Sequence, residues 1–240
     1  MNSDGSWPTP ANPIPIEWKR APMILKDTRL YLDIDEFDRA QCSEFLFNSC
    51  YVSNYLSRHA RGMRWNSEDY KGILIKCTSK GDVLPHLSPQ GNLIIPIEFD
   101  QEKYDRLTGV DLHELYLSLF CNGFERAALH FQIPLSELSS IIKRFRTGGY
   151  KNEWVYKRKK FGDIHLQCTL FCEITREKFS LFLCVESEGG TIFQERILET
   201  KPDELIFSHM FKDLGLRDNR IVVLDAYKDS IFELPINGLE

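Results

Sequence analysis

Residues 152–200 read NEWVYKRKKFGDIHLQCTLFCEITREKFSLFLCVESEGGTIFQERILET, and this stretch decides the fold class. Apolar and polar residues alternate along it, and turn residues interrupt it at Phe161-Gly162-Asp163, Arg176-Glu177 and Glu188-Gly189-Gly190. The spacing predicts strands over 153–161, 164–175, 178–187 and 191–199. Links this short leave no room for a crossover helix, so neighbouring strands run antiparallel.

Downstream, Thr200-Lys-Pro-Asp203 has the form of a helix start, ahead of Leu205, Ile206, Met210 and Leu214 and a stop at Gly215; strands over 220–226 and 231–235 follow. Upstream, Thr108-Gly-Val-Asp111 opens a helix carrying Leu112, Leu115, Tyr116, Leu119 and Phe120. Asn122-Gly123 interrupts it, the pattern resumes from Phe124 to Phe131, and Pro134 opens a further helix that ends at Gly148-Gly149. Nearer the start, Leu30, Leu32 and Ile34 alternate with Tyr31, Asp33 and Asp35 as in a half-buried strand. The run 36–61 lacks Pro and Gly and reads as one or two helices ending before Gly62, and strands over 72–78 and 92–99 follow. The sum is an α+β fold: an antiparallel sheet, made of the C-terminal meander of about four strands plus one or two more, packed with a central group of helices. Residues 1–22 hold five prolines and read as an extended arm anchored by Trp7, Ile14, Ile16 and Trp18. Residues 23–240 read as a single α+β domain, with two lobes meeting near residue 150 as the alternative.

The chain has 240 residues, 42% hydrophobic and 27% charged, which excludes disordered and low-complexity classes. No run approaches the roughly 18 apolar residues of a membrane span, and MNSDGSWPTPANPIPIEWKR lacks the apolar segment of a secretory signal. The expectation is a cytoplasmic protein without membrane contact. Thirty basic against 35 acidic residues argue against wholesale nucleic-acid binding. The basic residues nevertheless cluster, eight of them between Lys143 and Lys160 against the single acid Glu153. Strict alternation there puts Trp154, Tyr156, Arg158 and Lys160 on one face and Val155, Lys157, Lys159 and Phe161 on the other. Charges on both faces favour an edge strand guarded against aggregation over a nucleic-acid or protein contact. The seven cysteines form no C-x-x-C pair and read as reduced, buried thiols.

Asp33, Asp35, Glu36 and Asp38 form the densest acidic cluster. Carboxylates so placed suit a divalent metal, a helix N-terminus or a charged partner, and the helix N-terminus weighs most. The six histidines lie in six different elements, and His113-Glu114 is followed by Leu117 where a zinc-protease helix needs a second His. No nucleophile elbow, phosphate loop, dinucleotide fingerprint or kinase signature is present. No catalytic or metal residue is assigned, and no cofactor is expected.

In size, acidic net charge, strand-rich half from Phe161 to Ala226 and lack of catalytic motifs, the chain resembles the bacterial immunity proteins of polymorphic and contact-dependent toxin systems. That resemblance implies a non-catalytic protein that neutralises one cognate partner, a toxin domain that is often a basic nuclease, by tight stoichiometric binding. Asp33, Asp35, Glu36 and Asp38 are the acids placed to steer such an encounter. The alternative is an enzyme with a fold-assembled site acting on nucleotides or nucleic acid, which requires the 143–160 segment and the 33–38 carboxylates to meet in space.

Overall fold

A computed structural model describes residues 23–80 and 82–237, so the expected 1–22 arm lies outside the described residues. In chain order the elements are β1 (Met23–Ile24), β2 (Asp27–Leu32), α1 (Arg39–Met63), β3 (Asn66–Glu68), β4 (Gly72–Thr78), β5 (His86–Leu87), β6 (Asn92–Glu98), α2 (Gln101–Arg106), α3 (Gly109–Ala128), α4 (Leu135–Thr147), β7 (Asn152–Phe161), β8 (Leu166–Ile174), β9 (Phe179–Ser187), β10 (Gly190–Thr200), α5 (Glu204–Phe207), β11 (Asp213–Arg217), β12 (Arg220–Leu224) and β13 (Ser230–Pro235). The class is α+β. The meander β7-β8-β9-β10 is antiparallel throughout, as its short links require.

Four points of the sequence reading change. The N-terminal strands form a separate sheet in the order β2-β4-β6-β5, in which β2, β4 and β6 are parallel. Helix α1 is the crossover that makes the first parallel pair possible. Second, α3 runs unbroken through Asn122-Gly123. Gly123 is a packing position, because a Cβ there would stand 2.6 Å from Cδ1 of buried Ile75 on β4. Third, the helix after Thr200 is a single turn capped by Asp203, and Leu214 and Gly215 belong to β11 of a third sheet, β11-β12-β13. Helix α1 is likewise one element that passes through Gly62.

The core is continuous across these sheets. Leu30, Leu32, Ile73, Ile75, Leu93 and Ile95 pack with Tyr116, Phe120 and Phe124 of α3, and the same cluster reaches Leu170, Leu181, Leu183, Ile221 and Val223. On the inner face of the meander, Leu166, Cys168, Leu170, Cys172 and Ile174 of β8 are buried beside Phe179, Leu181, Leu183 and Val185 of β9. Cys168 and Cys172 share that face, as strand spacing predicts, and the seven thiols are free; Cys42, Cys50, Cys121 and Cys184 are only half-buried.

The serines of α1 do work that hydrophobic patterning does not register. Ser53 and Ser57, one helical turn apart, are buried against β2. Ser57 Oγ accepts the Thr28 N–H at 2.9 Å and donates to the Thr28 carbonyl at 3.0 Å, and Ser53 Oγ lies 3.4 Å from the Leu30 nitrogen. Backbone groups that an edge strand would otherwise leave open are thus satisfied by a helix.

Candidate functional site

The β2–α1 corner carries the four acids singled out in the sequence. Beyond Leu32 the chain turns through Asp33–Phe37 before α1 begins. Asp33 is buried and pairs with Lys76 on β4 at 2.7 Å, and its other oxygen accepts the Asp35 N–H. Glu36 accepts the Thr78 hydroxyl at 2.7 Å and the Ser79 N–H at 2.6 Å. The Ser79 backbone bond, then the Thr78 bond, hold the Glu36 carboxyl below its usual pKa. Asp38 caps α1 in a reciprocal box with Gln41. Asp35 is exposed, and its carboxylate has no hydrogen bond or ion pair among the described residues.

Beside these acids lies a groove of about 420 Å³ lined by Tyr31, Leu32, Ile34, Phe37, Arg39, Cys42, Ser43 and Leu46. Ile34, between Asp33 and Asp35, is part of its lining and is 77% exposed. Burial raises the Cys42 thiol above its ordinary pKa, assisted by the nearby Asp38 and Asp33 charges, so this thiol is not activated. The corner therefore combines an apolar cleft, an exposed isoleucine and, beside them, three exposed acids, Asp35, Glu36 and Asp38, with Arg39 in the groove lining. Among the described residues no group of His, Cys, Asp and Glu is placed to hold a metal ion.

A second cavity, of about 370 Å³, opens where α1, α3 and the α4–β7 link face the β8–β9 turn. The Tyr51 hydroxyl meets His113 Nδ1, and the His113 ring stacks on Tyr150 with 4.7 Å between centroids. The Tyr150 hydroxyl donates to Glu114 at 2.6 Å, and Arg146 grips both Glu114 oxygens at 2.8 Å. Arg146, followed by the Tyr150 bond, lowers the Glu114 pKa. Desolvation lowers that of His113 and raises that of Tyr51. His113 stands isolated in the sequence, because Tyr51 is 62 residues away and only the fold unites them.

The basic segment does not meet the 33–38 carboxylates in one site. Arg146 is committed to Glu114, and none of residues 143–160 lines the β2–α1 groove. The two faces read from strict alternation are also wrong beyond Val155. A bulge between Val155 and Lys157 places Trp154, Lys157, Lys159 and Phe161 opposite the inner-facing Cys172, Leu170, Cys168 and Leu166. Lys157 and Lys159 then reach over to β11, to the Asp213 carboxylate at 2.6 Å and the Leu214 carbonyl at 2.7 Å. Strand β7 is an edge of its sheet.

Comparison with protein-family models, curated proteins and solved structures finds no match for this chain. Among the described residues no helix is long and apolar enough to cross a membrane.

Proposed function

We propose that this chain is a binding protein that neutralises one basic protein partner by stoichiometric docking, and that the β2–α1 corner is its contact surface. The observation that carries this is the apolar groove with exposed Ile34 in its lining, beside the exposed carboxylates Asp35, Glu36 and Asp38. An apolar centre with a charged border is the usual anatomy of a protein interface, and the acidic border favours a partner surface of lysines and arginines around an apolar side chain. Immunity-type neutralisation of a toxin domain is the form of this activity that the sequence resemblance implies. The catalytic reading rests on the Tyr51–His113 cleft and ranks second, since Glu114, Tyr150, His113 and Tyr51 there are engaged with one another or with Arg146.

The test is capture from lysate of the native source by the tagged chain at about 0.5 M salt, where screening suppresses loose charge pairing. One stoichiometric protein is expected with the wild type and its loss with Ile34→Asp or with the double change Asp35→Lys, Glu36→Gln. Expressed alone, the captured protein should arrest growth, and co-expression with this chain should restore it. Equal capture by the corner variants would move the interface elsewhere, and a harmless partner would sink neutralisation.

A further inference from the structure

The contact between α1 and the meander holds a cation that its surroundings do not neutralise. Arg58 projects from α1 toward β7, with its guanidinium 4.1 Å from the centroid of the Trp154 ring. Its Nε donates to the Asn54 side-chain oxygen at 3.2 Å and its Nη2 donates to the Asn152 side-chain oxygen. Both acceptors are neutral amides, and both residues are buried. A guanidinium has five N–H groups, so three are left without a partner among the described residues. The carboxylate in this region, Glu204, is held by Arg61 at 3.2 Å and by the Asn54 amide at 3.0 Å. Desolvation lowers the Arg58 pKa to about 10, and the nearby Glu204 charge offsets only part of that.

These spare donors border a cavity of about 390 Å³, within the size range of small-molecule sites. Trp154, Tyr156, Phe207 and Phe211 line it, and Tyr156 meets Phe211 edge-on at 4.8 Å. Lys212 stands exposed among the lining residues and has no ion-pair partner among the described residues. The arrangement is asymmetric: two cations with no carboxylate of their own, beside one carboxylate that is already bound. Arg58 is only partly buried, and an incoming anion that accepts from its remaining N–H groups would add charge-assisted hydrogen bonds there.

We propose that this cavity binds a flat organic anion, an aromatic ring bearing a carboxylate or phosphate, with Arg58 and Lys212 holding the charged group and the ring resting against Trp154 and Tyr156. The site is separate from the β2–α1 groove, shares no lining residue with it, and does not depend on the partner-binding reading.

The test is calorimetric titration of the full chain with phenyl phosphate, benzoate and inorganic phosphate. Phenyl phosphate or benzoate should bind with one-to-one stoichiometry and a Kd of about 1 mM or tighter. The two probes distinguish a phosphate from a carboxylate preference. Arg58→Gln should weaken the preferred probe by about 30-fold or more, the usual effect of removing one member of a buried charge pair. Because Arg58 also supports the fold, the exposed variant Lys212→Ala is the control; it should bind several-fold more weakly with an unchanged Tm. No binding of either aromatic probe would overturn the proposal, as would unaltered affinity in a folded Arg58→Gln or in Lys212→Ala. Inorganic phosphate binding as tightly as phenyl phosphate would overturn the role given to the aromatic wall.

Discussion

His113 and His59 titrate against their own burial. Desolvation is the largest cause at both, and each pKa falls below the ordinary value of 6.5. Arg176 adds to the effect at His113, and Arg58 and Arg144 add to it at His59, while the Tyr55 carbonyl opposes it at His59. A base with a depressed folded pKa takes up its proton first in the unfolded chain. Its stabilising contribution is therefore complete above the unfolded value of 6.5 and is lost as pH falls toward the lower folded value. The urea midpoint is expected to fall between about pH 7 and pH 5, and His113→Gln, which retains an acceptor for Tyr51, should shallow that fall. An identical pH slope in the variant would remove His113 from the account. The acids of the corner were legible at this scale, because a dense cluster beyond a strand is visible in the sequence. Their separate tasks were not, since Asp33 depends on Lys76 and Glu36 on Thr78 and Ser79, all on the neighbouring strand or just past it.

Helix α3 shows how an element can overrule the propensity of one residue. Asn122-Gly123 reads as a break, yet the helix continues because Gly123 lets its backbone approach Ile75. Gly123→Ala would add about 1 kcal/mol of helix propensity. The new Cβ would nonetheless lie 2.6 Å from Ile75 Cδ1 and 2.9 Å from Cγ1, in a fully buried contact, so a net loss of about 1–3 kcal/mol is expected. Ile75→Val deletes Cδ1, and the double variant should be more stable than the sum of the two single losses. Strict additivity in chemical denaturation would show that the clash relaxes elsewhere. The meander was legible at this scale from its period and short links. The bulge at Tyr156 was not, because one extra residue leaves the composition of a strand unchanged while reversing which side chains point inward.

Across the whole molecule, the N-terminal sheet and its helices meet the meander through a polar seam in an otherwise apolar core. Asn152, at the start of β7, donates to the Tyr51 carbonyl at 2.7 Å and to the Asn54 side chain at 3.1 Å, and accepts from Arg58. Asn152→Ala would leave a buried carbonyl and a buried guanidinium each short of a partner, at a cost of about 3 kcal/mol. Because the core cluster runs through both parts, unfolding followed by tryptophan fluorescence and by far-ultraviolet circular dichroism should coincide in wild type and variant. Separate transitions would mean that the two parts unfold independently.

Neighbours along the chain set the alternation and turns of 152–200, the apolar stripes of α3 and α4, and the acid at Asp38 that caps α1. Periodicity and capping are local, so a linear reading reaches them. Tertiary structure decided the parallel pairing of β2, β4 and β6, the groove beside Ile34 and the union of Tyr51 with His113. It also decided the seating of Arg58 among Asn54, Asn152 and Trp154. Each of these joins residues from separate elements, and the register and approach that bring them together are set by packing in three dimensions.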